Sequence, residues 1–263
     1  MGVFDFFKKK VDKPKETESA ILLAMPLFKN GESFELKEVV FHLKGFWDAD
    51  VSEVTGYKQA AVFTIDGVQV ALSFMNFPVP PGDIESTAQY AYNWLKAVEE
   101  LNDHTGHAIV SVLSGNQSAF ERNQVMSKLI CSVLATSKAV GVYKGSQSLL
   151  IPSEQYLSFM ELIKEGSAPI PIWVYVGLRT LPEGNSGYTY GLTLFGKREL
   201  EIMDSSMSLE ELYGLLMNIS AYVIERNIEF EDGETIGESE EQKIKLKKGK
   251  GQFVEGEVFR LIE

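Results

Sequence analysis

A single cysteine, Cys131, and three histidines stand among 263 residues. One thiol cannot close an internal disulfide, so stability has to come from a buried core, and a reducing, cytosolic compartment is expected. Zinc sites take three or four ligands, and the only local pair with metal-like spacing is His104-Thr-Gly-His107. A metal centre is therefore not expected. Cys131, set in Leu129-Ile-Cys-Ser-Val133, has the apolar setting of a buried thiol rather than a nucleophile. No apolar run reaches the 18 or so residues that span a membrane. The apolar residues of Met1–Lys10 precede its charges, the reverse of an export signal.

Positive charge is also scarce. Lys and Arg number 25 against 37 Asp and Glu, a net charge of −12. Nucleic acid, which rewards clustered cations, is excluded as the expected partner, whereas a basic protein would be steered inward. No G-x-S-x-G, H-E-x-x-H, phosphate-loop or dinucleotide fingerprint occurs, and no cofactor is expected. Ser114-Gly-Asn-Gln-Ser118 leads a strand into a helix N-terminus, where an anion can sit with Arg122 one turn in. Every strand–loop–helix unit has that shape, so the signal is weak.

What is present is an ordinary globular composition, 44% hydrophobic and 24% charged. Residues 1–19 read as a flexible N-terminal segment. Its first ten carry three phenylalanines and then a lysine cluster, which fits weak membrane-surface contact by residues 1–10 or packing on a partner. Ala20–Phe28 reads as a strand and Ser33–Gly45 as a helix with Ser33 at its N-cap. Tyr57–Ile65 and Val68–Met75 flank Asp66-Gly67, a strong hairpin signal that pairs Ile65 with Val68. An amphipathic helix from Ile84 to Val98 and a strand from His107 complete a β-α-β-β-α-β order.

Ser118 with Glu121 forms a capping box for a helix to about Thr136. A strand near Val140–Tyr143, a helix over Ser153–Lys164, a hairpin, a helix capped by Ser208 and Glu211, and a strand over Phe253–Ile262 repeat the same order. Lys243–Lys250 reads as a solvated flap. The expected fold is therefore α+β: two ferredoxin-like units, 20–117 and 138–263, with antiparallel sheets packed together, joined by a helix over 118–137.

The hairpin of residues 170–202 is the candidate site. Period-two alternation puts Trp173, Tyr175, Gly177 and Arg179 on one face. A register centred on Gly184 sets Trp173 opposite Phe195, Gly177 opposite Gly191 and Arg179 opposite Thr189. Tyr188 would line the same site. Facing glycines imply that something approaches the backbone closely, here the small residues Ala60, Ala71 and Ser73, or a ligand. Glu199 and Glu201 share the odd-numbered face, as a solvated strand end or as paired carboxylates for metal or acid–base work.

Trp173-Val-Tyr-Val-Gly-Leu-Arg179 and Tyr188-Thr-Tyr-Gly-Leu-Thr-Leu-Phe-Gly-Lys-Arg-Glu-Leu-Glu-Ile202, with Asp232-Gly-Glu-Thr-Ile-Gly237 and Glu240-Glu-Gln-Lys-Ile-Lys245, resemble an uncharacterised bacterial family, the domain of unknown function numbered 4261. The resemblance covers about the last hundred residues and implies no activity, cofactor or catalytic residue. The expected role is a cytosolic binding module for a protein partner of basic character, an immunity-type inhibitor being one form. The alternative is a small-ligand or enzymatic site on the aromatic and glycine face. Unpaired edge strands leave a homodimer open.

Overall fold

The computed structural model describes residues 21–113, 116–237 and 243–262, which build a mixed α+β fold around two sheets. The first sheet draws on the chain up to residue 152. In chain order come β1 (Leu22–Lys29), α1 (Leu36–Phe46), β2 (Val51–Tyr57), β3 (Ala60–Ile65), β4 (Val68–Met75), α2 (Pro81–Ala88), α3 (Ala97–Leu101) and β5 (His104–Val112). Then follow α4 (Ala119–Ala135), β6 (Gly141–Lys144) and β7 (Leu149–Pro152). Seven antiparallel strands lie in the order β2-β3-β4-β5-β1-β6-β7.

Two short helices, α5 (Ser153–Leu157) and α6 (Met160–Lys164), lead to the second sheet. It comprises β8 (Tyr175–Leu181), β9 (Gly184–Tyr190), β10 (Leu200–Ser205), β11 (Thr235–Ile236), β12 (Ile244–Lys250) and β13 (Glu257–Ile262), with α7 (Leu209–Glu225) between β10 and β11. Its order is β11-β12-β13-β10-β9-β8, with β10 and β13 parallel.

Local chemistry sets several elements. Asp66 and Gly67 take φ of 51° and 78°, closing the two-residue turn that pairs Ile65 with Val68, Phe63 with Val70 and Ala61 with Leu72. Ser118 with Glu121 and Ser208 with Glu211 form complete capping boxes on α4 and α7. At α1 the expected cap is absent: Ser33 accepts a bond from Gln59 Nε2 at 2.7 Å, and the helix starts at Leu36 with no side-chain cap. The expected 84–98 helix is interrupted between α2 and α3, which lets Ala91 and Trp94 reach the core. Lys243–Lys250 is no flap. Ile244 and Leu246 are buried between exposed lysines, as a half-buried strand requires.

The sheets do not reproduce the split βαβ arrangement of a ferredoxin-like unit, in which a crossover helix joins parallel strands with another strand between them. Here β4 and β5, joined through α2 and α3, are direct antiparallel neighbours. The strand expected to open a second unit, β6, pairs with β1 in the first sheet.

One continuous buried cluster takes in side chains of both sheets, with α4 at its centre. A smaller cluster on the far side of the first sheet packs Val79, Ile84, Trp94 and Leu101 onto Leu27 and Leu150. Lys144, at the end of β6, is 2% exposed, and its Nζ donates to the Ile172 carbonyl at 2.9 Å. Burial holds this amine down at about 7. The unfolded chain keeps the proton up to the ordinary lysine range, so it binds more protons than the fold between about pH 7 and that range. Stability from this group therefore rises with pH across that window and is flat below it. Lys144→Met should remove this rise, so that urea midpoints of variant and parent diverge at pH 7 and converge towards pH 9.5, with the parent the less stable at the lower pH.

Candidate functional site

The hairpin forms, but with a different register. Ile170–Ile172 make a 3-10 turn instead of a strand, and the ladder begins at Tyr175. Pro182-Glu183 closes the turn, pairing Tyr175 with Tyr190, Val176 with Thr189 and Gly177 with Tyr188. Relative to the expected register the sum of paired numbers changes parity, and β9 is turned over. Gly187 and Thr189 face inward beside Leu178 and Val176. Tyr188 and Tyr190 join Tyr175, Gly177 and Arg179 on the outer face. The geometry of Gly184 favours this choice. At φ 153° it lies against β10, where a Cβ would stand 2.8 Å from the Asp204 carbonyl carbon.

Gly177 and Gly191 therefore do not face each other, and no bare floor exists between them. A Cβ on Gly177 would run into the Tyr188 ring, which crosses the strand and covers the glycine. Gly191, at φ 125°, ends β9 and begins the 3-10 turn Leu192–Phe195. Ala60, Ala71 and Ser73 are not what fills the hairpin's face, because they lie on the exposed side of the first sheet.

Trp173 and Phe195 do meet, at 5.4 Å between ring centroids, but inside the core rather than across the hairpin. The Trp173 ring is fully buried. Its Nε1 donates to Ser127 Oγ on α4 at 2.8 Å, and Phe120 packs edge-on at 5.5 Å.

Glu199 and Glu201 are neither solvated nor paired. Glu199, 4% exposed, accepts from Thr189 Oγ1 and from the Gly191 and Thr193 amides at 2.8, 2.8 and 3.2 Å. It thereby fixes the collar where β9 becomes the 3-10 turn. Glu201 is fully buried. Its carboxylate accepts from three successive amides, those of Gln252, Phe253 and Val254, with shortest distances of 2.9, 2.8 and 3.2 Å. These interactions pin residues 251–256, the β12–β13 connection, across the outer face of the second sheet. Such a carboxylate has its acceptor capacity filled by backbone, as burial of a charge demands.

Under this strap the outer face is a stack of rings. Phe253 lies on Tyr188 at 5.3 Å and 20°, and the Arg179 guanidinium sits over Phe253 at 5.4 Å. Tyr188 meets Tyr175 edge-on at 6.2 Å. Tyr92, from the α2–α3 connection, contacts both Tyr175 and Tyr213 of α7. Burial, then the neighbouring tyrosine, pushes the Tyr175 and Tyr92 phenols up. Of the nine expected residues, then, Tyr175, Gly177, Arg179, Tyr188 and Glu201 gather on one face. Gly191 and Glu199 form the collar, and Trp173 and Phe195 belong to the core. Phe253, Tyr92 and Tyr213 escaped the sequence reading because they come from three distant segments; the only local hint was Gly251-Gln-Phe-Val-Glu-Gly256, a glycine-bounded loop.

The weaker candidates are structural. His104 Nδ1 donates to the Leu101 carbonyl at 2.6 Å, and its Nε2 accepts from the Val79 amide at 2.9 Å. His107 Nδ1 bonds Phe77 O at 3.0 Å, and burial lowers its basicity. Cys131 is fully buried, which pushes its thiol up. At the α4 N-terminus the Glu121 carboxylate already accepts from the Ser118 amide and hydroxyl, each at 2.8 Å, so the place of an anion is taken. Among the described residues no group of three or more His, Cys, Asp or Glu comes together as a metal site, and no helix is long and apolar enough to cross a membrane. The expectation for residues 1–10 lies outside the described residues. Two open depressions lie away from the hairpin. One, of about 380 Å³, is lined by Leu36, Lys37, Val40, Phe41, Lys44 and Val54; another, of about 280 Å³, lies between Trp94 and Pro152.

Residues 188–262 match the family model of a domain of unknown function, DUF4261. The matched segment begins at Tyr188 and takes in Glu199, Glu201, α7 and the Phe253 strap, which is the second sheet without β8 and the first four residues of β9. No curated protein and no solved structure matches the chain.

Two outcomes test the geometry of this site. Gly177→Ala should destabilise by about 1–3 kcal/mol through overpacking, read from urea midpoints, and Tyr188→Leu should relieve most of that loss in the double variant. Glu201→Gln weakens the three charge-assisted bonds, each worth about 1.5–3 kcal/mol. Hydrogen exchange at Gln252, Phe253 and Val254 should then accelerate while the β8–β9 amides keep their protection.

Proposed function

We propose that this chain is a cytosolic protein-binding module, and that the tyrosine and arginine surface around the β8–β9 hairpin is where it grips its partner. The observation that carries this is the filling of the expected groove. Tyr188 occupies the space over Gly177 with its own ring, which leaves a ridge of stacked aromatics where a small-molecule site needs a concavity. Tyr190, Tyr92 and Tyr90 are 38, 49 and 43% exposed at or beside this ridge, and Arg179 is exposed at its end. Tyr and Arg dominate binding hot spots because they offer large, rigid contact area with a polar tip.

The partner is a basic protein. A net charge of −12 accelerates the approach of a cationic surface and rejects an anionic one. An immunity-type inhibitor that covers a basic toxin is the narrower form of this proposal. Pairing between copies through edge strands is not part of it. The outer strand β2 is bulged between Ser52 and Thr55, with Glu53 at φ 54°, a device that blunts an edge.

Quantitative affinity capture from the source cells should return one stoichiometric basic partner. Tyr190→Ala and Arg179→Ala should each cut its recovery at least about tenfold, a loss of about 1.4 kcal/mol, whereas Phe41→Ala on the exposed side of α1 leaves it intact. Association should slow as salt rises. A partner whose recovery ignores both substitutions would place recognition elsewhere, and the absence of any stoichiometric partner would remove the proposal.

A further inference from the structure

The first sheet has a second face that its own helices cover only in part. The small cluster around Trp94 packs onto Leu27 and Leu150 at one end, and the rest stays open across β2, β3, β4, β5 and the start of β1. Registers align a central row there: Thr55, Val62, Ala71, Ser111 and Leu23, with Ser111 buried among its neighbours and the other four exposed or half-exposed. The rows to either side, through Ser73 and through Thr64, are likewise free of charged residues. Among the described residues two charges reach the rim: Glu53, at the bulge of β2, whose Oε2 accepts from Thr64 Oγ1 at 3.2 Å, and Lys58, whose Nζ lies 5.2 Å from the centroid of the Tyr57 ring. Leu23 and Val62 are each 39% exposed, and Ile21 is 63% exposed.

A solvated sheet face ordinarily alternates polar residues outward. In a chain with 62 charged residues, 25 basic plus 37 acidic, a broad uncharged face marks a surface that something covers. Its size decides what. Five strands about 4.8 Å apart and three rows about 6.8 Å apart give roughly 500 Å². That is well below the roughly 800 Å² per partner of a stable free complex, so a second copy would hold weakly. A segment of the same chain has no such handicap, because a tether supplies an effective concentration near the millimolar range.

Ile21, on the rim of this face, is the first described residue, and residues 1–20 precede it in the chain. Their first seven carry Phe4, Phe6 and Phe7, large side chains that suit a floor of Ala, Ser, Thr and Val. Residues 8–20, when extended, reach about 45 Å, more than the width of the face. We propose that Phe4, Phe6 and Phe7 dock on the uncharged face of the first sheet within the same chain.

Trypsin cleavage after Lys8, Lys9 and Lys10 of the full-length protein is the test. Cleavage tracks the undocked population, so Val62→Lys and Phe6→Ser should each raise its rate about tenfold over the parent. Phe41→Ser, exposed on the other side of the sheet, should leave the rate unchanged. Circular dichroism checks the fold of Val62→Lys, and Phe6→Ser leaves every residue of the two sheets unchanged. The parent's protection should be independent of protein concentration. Equal rates in parent and variants would overturn the proposal. Protection lost on dilution would overturn it in favour of a second copy. Protection that appears only on adding phosphatidylserine vesicles would overturn it in favour of a membrane surface.

Discussion

Burial of α4 on almost every side is the constraint on which the rest of the structure depends. A helix that turns Asn123, Ser127, Leu129, Cys131 and Val133 all towards protein needs cover from several directions. The first sheet supplies one wall, α1 and the α5–α6 pair others, and the 3-10 turn before β10 another. Trp173 is the piece that ties the second sheet into this arrangement. Its indole N–H is bonded to Ser127 Oγ, which in turn donates to the Asn123 carbonyl at 2.8 Å. A buried indole gains its large apolar contact only when that polar handle finds a partner, and here the partner lies inside the central helix. The two sheets consequently share one core. Lys144, donating to the carbonyl of Ile172 next to Trp173, spans the same junction.

On the outer side of the second sheet, carboxylates do the organising. Glu199 and Glu201 sit two residues apart, in and just before β10, yet each satisfies backbone amides of a different segment, one at the end of β9 and one in the β12–β13 strap. A buried carboxylate without such donors would be prohibitively costly, and a loop without such an acceptor would leave its amides to solvent. Each need answers the other. The strap in turn brings Phe253 onto Tyr188, and Tyr188 covers Gly177. Five of the residues that suggested a ligand groove therefore belong to one self-filled surface, and recognition has to use its exposed tyrosines and Arg179.

Much of the fold was legible because its determinants are local. The Asp66-Gly67 turn set a hairpin register that the sheet adopts, since a two-residue loop leaves the flanking strands no choice. Both capping boxes mark helix starts because their donors and acceptors lie within four residues. The alternation of Ile244 and Leu246 with lysines also announced a strand, although lysine density disguised it as a flap. The helix expected from Ile84 to Val98 was misjudged for the opposite reason. Its apolar stripe is real, but Ala91 and Trp94 reach the core through an irregular turn, and periodicity does not distinguish the two.

The candidate site shows where sequence stops. Residue types and alternation by themselves determined that Trp173, Tyr175, Gly177 and Arg179 lie in and next to a strand, that Tyr188 lies in the returning one, and that a Pro/Gly-rich turn joins them. Only the tertiary structure decided the register, the closure of the turn at Pro182-Glu183, and the burial of Glu199 and Glu201. The reason is that each was settled by a distant partner. The Asp204 backbone limits Gly184, Thr189 pairs with Val176 on the core side instead of lying opposite Arg179, and the amides of residues 252–254 claim a carboxylate some fifty positions earlier. Pattern within a strand fixes its two faces; which face meets the core is settled by the rest of the chain.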